Sequence, residues 1–238
     1  ISLIDLETGL PRLVAGASWL TTLRTAAMTV LGAQTLALPE AKVIGCIGAR
    51  GIAPLAAEMM AELLAPVSIR VCSRTVQTSA DTVARLCRAG KDASKVDDWD
   101  DCVAGCDIVI DGAGLTRAEP LLHTHLVKPG AVVISYGAYC SLDDATLNNF
   151  DRIIVDRWDP SPTGALGRLI ETGQMTEKRI DAYFGDVLLG KQAARSNADD
   201  KVLFWHRGLG ACDITLAQAI LAQAELDGIG STLSLDHQ

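Results

Sequence analysis

Residues 42–75 limit the possible folds more than any other stretch. They read Lys42-Val-Ile-Gly-Cys-Ile-Gly-Ala-Arg-Gly-Ile-Ala-Pro54, an amphipathic run through Leu64, then Ser68-Ile-Arg-Val-Cys-Ser-Arg-Thr75. A short apolar run closing on glycines reads as a buried strand. The amphipathic run reads as a helix, and the second apolar run as a parallel partner strand. This is a βαβ unit, and its glycine turn points a helix N-terminus at a pyrophosphate. The spacing Gly48-x-x-Gly51-x-Ala53 meets G-x-G-x-x-G/A only in part, because Arg50 stands at the second glycine. A side chain there obstructs the pyrophosphate unless the turn shifts by one residue and Gly51 takes that role, or Arg50 itself contacts the phosphates. The sequence leaves these alternatives open.

The end of the second strand sets which adenosine ribose is preferred. An acidic residue accepts from a 2′-hydroxyl, whereas a neutral residue followed by Arg holds a 2′-phosphate. Here the residues are Ser73, Arg74 and Thr75. A guanidinium fork and two hydroxyls suit a phosphate dianion, which favours NADP over NAD.

Around this unit the chain alternates strands and helices. Ile1 to Ile4 and Arg12 to Val14 read as strands, and Ser18 to Leu38 as a helix with an apolar stripe from Trp19 and Leu20 to Ala33. A helix over 79–89, a short edge at Lys95-Val96 and a helix over 98–104 follow. Asp107 to Asp111 is a strand ending in the turn Gly112-Ala113-Gly114, Pro120 to Leu126 a short helix, and Ala131 to Tyr136 and Ile153 to Asp156 are strands. Short helices over 164–171 and 181–189, a strand Val202 to Trp205 and an apolar helix Ala211 to Asp227 complete the chain. The expected architecture is α/β: a Rossmann-like parallel sheet over 39–201, with a discontinuous substrate and dimerisation domain from 1–38 and 202–238. A chain that opens inside a strand lacks partners for it, so upstream sequence is expected to be missing.

A formal charge of −8 argues against nucleic-acid and anionic-membrane partners, which need a basic face. No segment reaches the roughly 18 continuous apolar residues of a transmembrane helix. Seven cysteines stand at positions 46, 72, 87, 102, 106, 140 and 212. An odd count, with two inside strands, fits reduced thiols in a cytoplasmic protein. Cys102 and Cys106 lack a second Cys/His pair, so no metal is expected.

The helix Leu20-Thr-Thr-Leu-Arg-Thr-Ala-Ala27, read after the turn Asp5-Leu-Glu-Thr-Gly-Leu-Pro11, resembles the ornithine cyclodeaminase/μ-crystallin family. The likeness continues in order through Gly48–Ala53, Lys128-Pro-Gly130, Tyr136-Gly137, Val155-Asp156, Gly190-Lys191 and Gly208-Leu-Gly-Ala-Cys-Asp213. It implies a central NAD(P)-binding domain, a homodimer, and chemistry on an imine beside a carboxylate. By that resemblance Arg24 pairs with the substrate carboxylate and Thr25 reaches the cofactor phosphates. Gly48, Arg50, Gly51, Ile52, Ser73, Arg74, Thr75, Ala113, Tyr136, Gly137 and His206 line the cofactor. The residues agree on Arg24, because an arginine on an otherwise apolar helix face is costly unless an anion meets it.

Two positions depart from the family. Tyr139 stands where the cyclodeaminases carry a catalytic aspartate, and a phenol of pKa about 10 is no carboxylate base at neutral pH, although it can donate a proton to an imine nitrogen. His206 stands where a serine is common near the nicotinamide, and Arg207 follows it as a second carboxylate clamp. His206 is the other candidate proton relay. The leading expectation is an NAD(P)H-dependent oxidoreductase acting on an imine or α-amino acid. The alternatives are a non-catalytic ligand-binding protein of the crystallin type and a cyclodeaminase-like lyase, which Tyr139 argues against.

Overall fold

The computed structural model describes residues 1–64, 67–139 and 141–233. Cys140, one of the seven expected reduced thiols, lies outside the described residues. In chain order the elements are β1 Ser2–Ile4, β2 Pro11–Val14, α1 Ser18–Leu36, β3 Val43–Ile47, α2 Ile52–Leu63, β4 Ser68–Cys72, α3 Val76–Arg88 and β5 Asp92–Lys95. They continue with β6 Ile108–Asp111, β7 Val132–Ser135, α4 Thr146–Asn149, β8 Arg152–Val155, α5 Gly167–Glu171, β9 Ala182–Tyr183, α6 Phe184–Leu188, β10 Val202–Trp205 and α7 Gly210–Asp227. They form two compact units, Ile1–Arg24 with Leu209–Gln238, and Thr25–Gly208.

The larger unit is built on an eight-stranded sheet in the order β5-β4-β3-β6-β7-β10-β8-β9. All seven pairings are parallel. Strands buried on both faces need continuous apolar sequence, and β6, β7 and β10 supply it as Ile-Val-Ile-Asp, Val-Val-Ile-Ser and Val-Leu-Phe-Trp. α2 covers one face with Ala53, Ala56, Ala57 and Met60, all fully buried. Their spacing of three and four residues is one face of a helix, and the alanines let it pack close to the sheet. One core forms on that side around Ile44, Ile110, Ile134 and Phe204, and a second on the other around Val109, Val133, Leu203 and Trp205.

In the smaller unit β1 and β2 pair antiparallel, with Leu3 opposite Leu13. Asp5 shapes the turn between them, its carboxylate accepting from the N–H groups of Glu7 and Thr8 at 3.0 and 2.9 Å. Leu3 packs with Leu20 and Ala217 in a small core.

The structure changes several expectations. β10 is an internal strand between β7 and β8, and α1 belongs to the larger unit from Thr25 onward, so the division falls at 24 and 209 rather than at 38 and 202. The segment 98–104 is one 3₁₀ turn, Asp100–Cys102, because the Asp98 carboxylate caps the Asp100 N–H at 3.0 Å and diverts the backbone from a longer helix. Only Thr124–Leu126 of the segment 120–126 is helical, also as 3₁₀. The edge strand is Asp92–Lys95, and residues 182–183 pair with β8 as a strand before α6 begins.

Candidate active site

The sheet reverses its winding at β3. The chain runs outward through β4 and β5 on one side and through β6 and β7 on the other. The two βα turns diverge there and leave a crevice at the C-terminal ends of the strands. Backbone bonds fix its lips, with Gly48 N–H donating to Cys72 O at 2.8 Å and Gly112 N–H to Ile47 O at 2.9 Å. Gly48 has φ +100°, and a Cβ placed on it would lie 2.4 Å from the Gly112 carbonyl oxygen. Only glycine fits both that conformation and that approach. α2 opens on Gly51, with no side-chain hydrogen bond capping its first turn. Those amides and the helix dipole form an anion cradle, which fits a dinucleotide pyrophosphate.

Beside the cradle lies a cavity of roughly 290 Å³, walled by Arg50, Ser73, Arg74, Thr75 and Trp99. Arg50 is exposed and stands in the wall, so it does not fill the turn. Arg74 donates from Nη2 to Gly114 O at 2.7 Å, bridging the ends of β4 and β6. One of its five N–H donors is used there, and the fork retains the rest. Ser73 Oγ donates to Thr75 O at 3.0 Å and lies 2.8 Å from Ser79 Oγ. Its proton is therefore spent within the turn, and Ser73 shapes the wall more than it offers a donor. Trp99 packs against the second core on one side and borders the cavity on the other.

His206 is fully buried, between the rings of Tyr136 at 5.5 Å and Phe204 at 5.3 Å. Its Nε2 lies 3.1 Å from Thr29 Oγ1, and that hydroxyl donates to Thr25 O at 2.9 Å. With the Thr29 proton already committed, Oγ1 accepts, so Nε2 carries the hydrogen. A ring held in this way braces the end of β10. Burial pushes the Tyr136 phenol well above its usual value, so it stays neutral. Arg207 is likewise committed. Its Nη2 reaches Ser161 Oγ at 2.9 Å and Thr163 Oγ1, Asp159 lies 3.5 Å away, and the guanidinium stacks 5.2 Å above the Trp205 ring. These contacts strap the 159–163 loop to the end of β10.

Tyr139 is 45% exposed. In the smaller unit Arg24 Nε donates to Asp213 Oδ1 at 3.0 Å, with both side chains mostly buried. Sequence reading missed Trp99, Asp111 and Asp213 as site-shaping residues. An acid closing the apolar run Asp107-Ile-Val-Ile-Asp111, and the last residue of the Gly208–Asp213 motif, were the available signals.

A doubly wound parallel sheet with a glycine cradle at its switch point defines a dinucleotide-binding protein. The model of the ornithine cyclodeaminase/mu-crystallin family matches residues 1–227, and the chain belongs to that family. It is 24% identical over 241 residues to the Delta(1)-pyrroline-2-carboxylate reductase of Bacillus cereus, covering 98% of this chain and 73% of that one. It is 25% identical to the N-((2S)-2-amino-2-carboxyethyl)-L-glutamate dehydrogenase of Staphylococcus aureus, covering 99% and 70%. The iminosuccinate reductase of Paracoccus denitrificans, solved with NAD+, superposes with a TM-score of 0.85 at 26% identity, covering 98% and 72%.

Proposed function

We propose that this protein is an NAD(P)H-dependent oxidoreductase acting on an imine or an α-amino acid. The observation that carries the reading is the uncapped α2 N-terminus beside the Gly48 turn, opening on a cavity walled by Ser73, Arg74 and Thr75. The relatives support it, since they are reductases and a dehydrogenase of carboxylated imines and amino acids by name.

The Gly48, Gly51 and Ile52 backbone holds the pyrophosphate, with Arg50 and Thr25 adding contacts to the phosphates. Ala113, Tyr136 and Gly137 border the nicotinamide end. A bound nicotinamide supplies or accepts the hydride. Arg24 holds the substrate carboxylate, its Nε fixed by Asp213 so that the guanidinium edge is oriented. Tyr139, whose phenol is exposed, delivers a proton to the substrate nitrogen. No described helix is long and apolar enough to cross a membrane. Buried thiols at Cys46, Cys72, Cys102 and Cys106 support a cytoplasmic home, and the exposed Leu6, Val14 and Leu226 of the smaller unit support a homodimer.

Titration with NADPH and NADH, read by nicotinamide fluorescence, tests the binding half of this reading. Turnover of cyclic ketimines, or of keto acids with amines, tests the other half. A chain that binds neither dinucleotide is not this enzyme. Arg74→Ala is expected to weaken NADPH about tenfold and to spare NADH, because a charge-assisted bond to the 2′-phosphate is lost. Equal losses for both would remove Arg74 from cofactor choice. Trp99→Ala is expected to weaken both dinucleotides about tenfold through lost stacking on adenine, with Trp99→Phe largely restoring them. Unchanged dissociation constants would make Trp99 a core residue only.

A further inference from the structure

Asp111 is a carboxylate with 1% of its surface exposed, and among the described residues no salt bridge reaches it. Buried acids persist where hydrogen bonds replace water, and Asp111 has two from side chains. Ser135 Oγ donates to Oδ2 at 2.5 Å, and Ser141 Oγ donates to the same oxygen. These donors come from the end of β7 and the loop after it, and Asp111 itself stands where β6 enters the turn Gly112-Ala113-Gly114. One side chain thus joins the turn that borders the dinucleotide crevice to the loop that carries Tyr139.

The loop is pinned at further points. The Ser141 carbonyl accepts from the N–H groups of Leu121 and Leu122 at 2.9 and 3.0 Å, and the Ala138 carbonyl accepts from Gly164 N–H at 3.0 Å. Tyr139 lies between these anchors, one residue after Ala138 and two before Ser141, and its phenol makes no hydrogen bond among the described residues. The anchored residues Ala138 and Ser141 flank it in sequence. We infer that Asp111 is a positioning residue, whose bonds to Ser135 and Ser141 hold the Tyr139 loop in register with the nicotinamide-facing turn. An apolar residue would have sealed the end of β6 without burying an acid, so the carboxylate is there for the hydroxyls it gathers. The inference rests on the assignment of Tyr139 as proton donor for its catalytic consequence, and on the hydrogen bonds alone for its structural one.

Asp111→Asn keeps the shape and gives up one acceptor oxygen, and Ser141→Ala removes one donor while leaving Asp111 in place. Amide exchange at Leu122 and Gly164 reads the loop anchors directly. Both variants should speed that exchange tenfold or more while the β3 amides stay protected. With a ketimine substrate, both should lower kcat about tenfold and leave the dinucleotide Kd within twofold. A general acid contributes about a hundredfold or more, so Tyr139→Phe should cost that much in the wild-type background. It should cost much less on top of Asp111→Asn, because a displaced phenol has less left to lose. Unchanged exchange in both variants overturns the inference, as does full additivity of the two substitutions. If the wild-type protein turns over no imine, the proposed activity falls, while the exchange result still decides whether Asp111 holds the loop.

Discussion

Arg24→Ala is expected to raise the substrate KM about a hundredfold while leaving dinucleotide affinity within twofold. A charge-assisted, oriented guanidinium–carboxylate contact contributes about 1.5–3 kcal/mol. Truncation does more than delete that contact. Asp213, whose Oδ1 accepts from Arg24 Nε at 3.0 Å, is left as a mostly buried anion without its cation. The substrate carboxylate then meets a negative charge in place of a positive one. Asp213→Asn separates the two effects. It leaves Arg24 charged but free to rotate, so KM should rise less than about fivefold, with loss of orientation as the cause. Steady-state kinetics of both variants at saturating NADPH make the comparison. An unchanged KM for Arg24→Ala would assign the pair to folding, and a melting temperature lowered in both variants would then be its signature.

What was legible in the sequence, and what was not, follows from the range of the interactions involved. The βαβ unit of residues 42–75 was legible because its signals are local: two apolar runs, a glycine turn and a helical period lie within one short stretch. Most of the parallel strands follow from the same alternation, but Ala182–Tyr183 falls inside a helical reading of 181–189, and the place of β10 does not follow either. Val202–Trp205 reads as a strand, but nothing local says that it inserts between β7 and β8, whose sequence neighbours lie far upstream. Its nearness to the Gly208–Asp213 motif drew it to the wrong unit. The site shows the same limit. Ser73, Arg74 and Thr75 were found because position after a strand defines them, whereas the Arg74 bond to Gly114 O spans 40 residues. Arg207 and His206 look the same in sequence whether they face a ligand or the interior. Their partners Ser161, Thr163 and Thr29 are 44 to 177 residues away. Asp111 closes a strand and carries no local signal of its role, because the hydroxyls of Ser135 and Ser141 that make it tolerable lie at the end of β7 and in the loop after it.

Gly48→Ala is expected to be the most damaging single methyl group in the larger unit's crevice, raising the Kd for NADPH more than a hundredfold. The added Cβ would stand 2.4 Å from the Gly112 carbonyl oxygen and 2.8 Å from its carbon. Both are backbone atoms, so no side-chain rotation relieves the clash, and the turns after β3 and β6 must separate. Overpacking of this kind costs about 1–3 kcal/mol, and an alanine at φ +100° adds about 1–2 kcal/mol of left-handed strain. At about 3 kcal/mol in total, the melting temperature of a chain this size should fall by about 6–12 °C. Affinity suffers beyond stability, because Gly48 N–H is also bonded to Cys72 O at 2.8 Å. Moving the turn drags the end of β4 and tilts Ser73 and Arg74 away from the cavity. Gly51→Ala provides the contrast. Its φ of +63° carries the strain, but a Cβ there meets nothing within 4 Å, so it should lose only about 1 kcal/mol of stability. Differential scanning fluorimetry and NADPH titration of the two variants separate strain from collision. A Gly48→Ala protein that binds NADPH as the wild type does would show that the crevice between these turns is not where the dinucleotide sits.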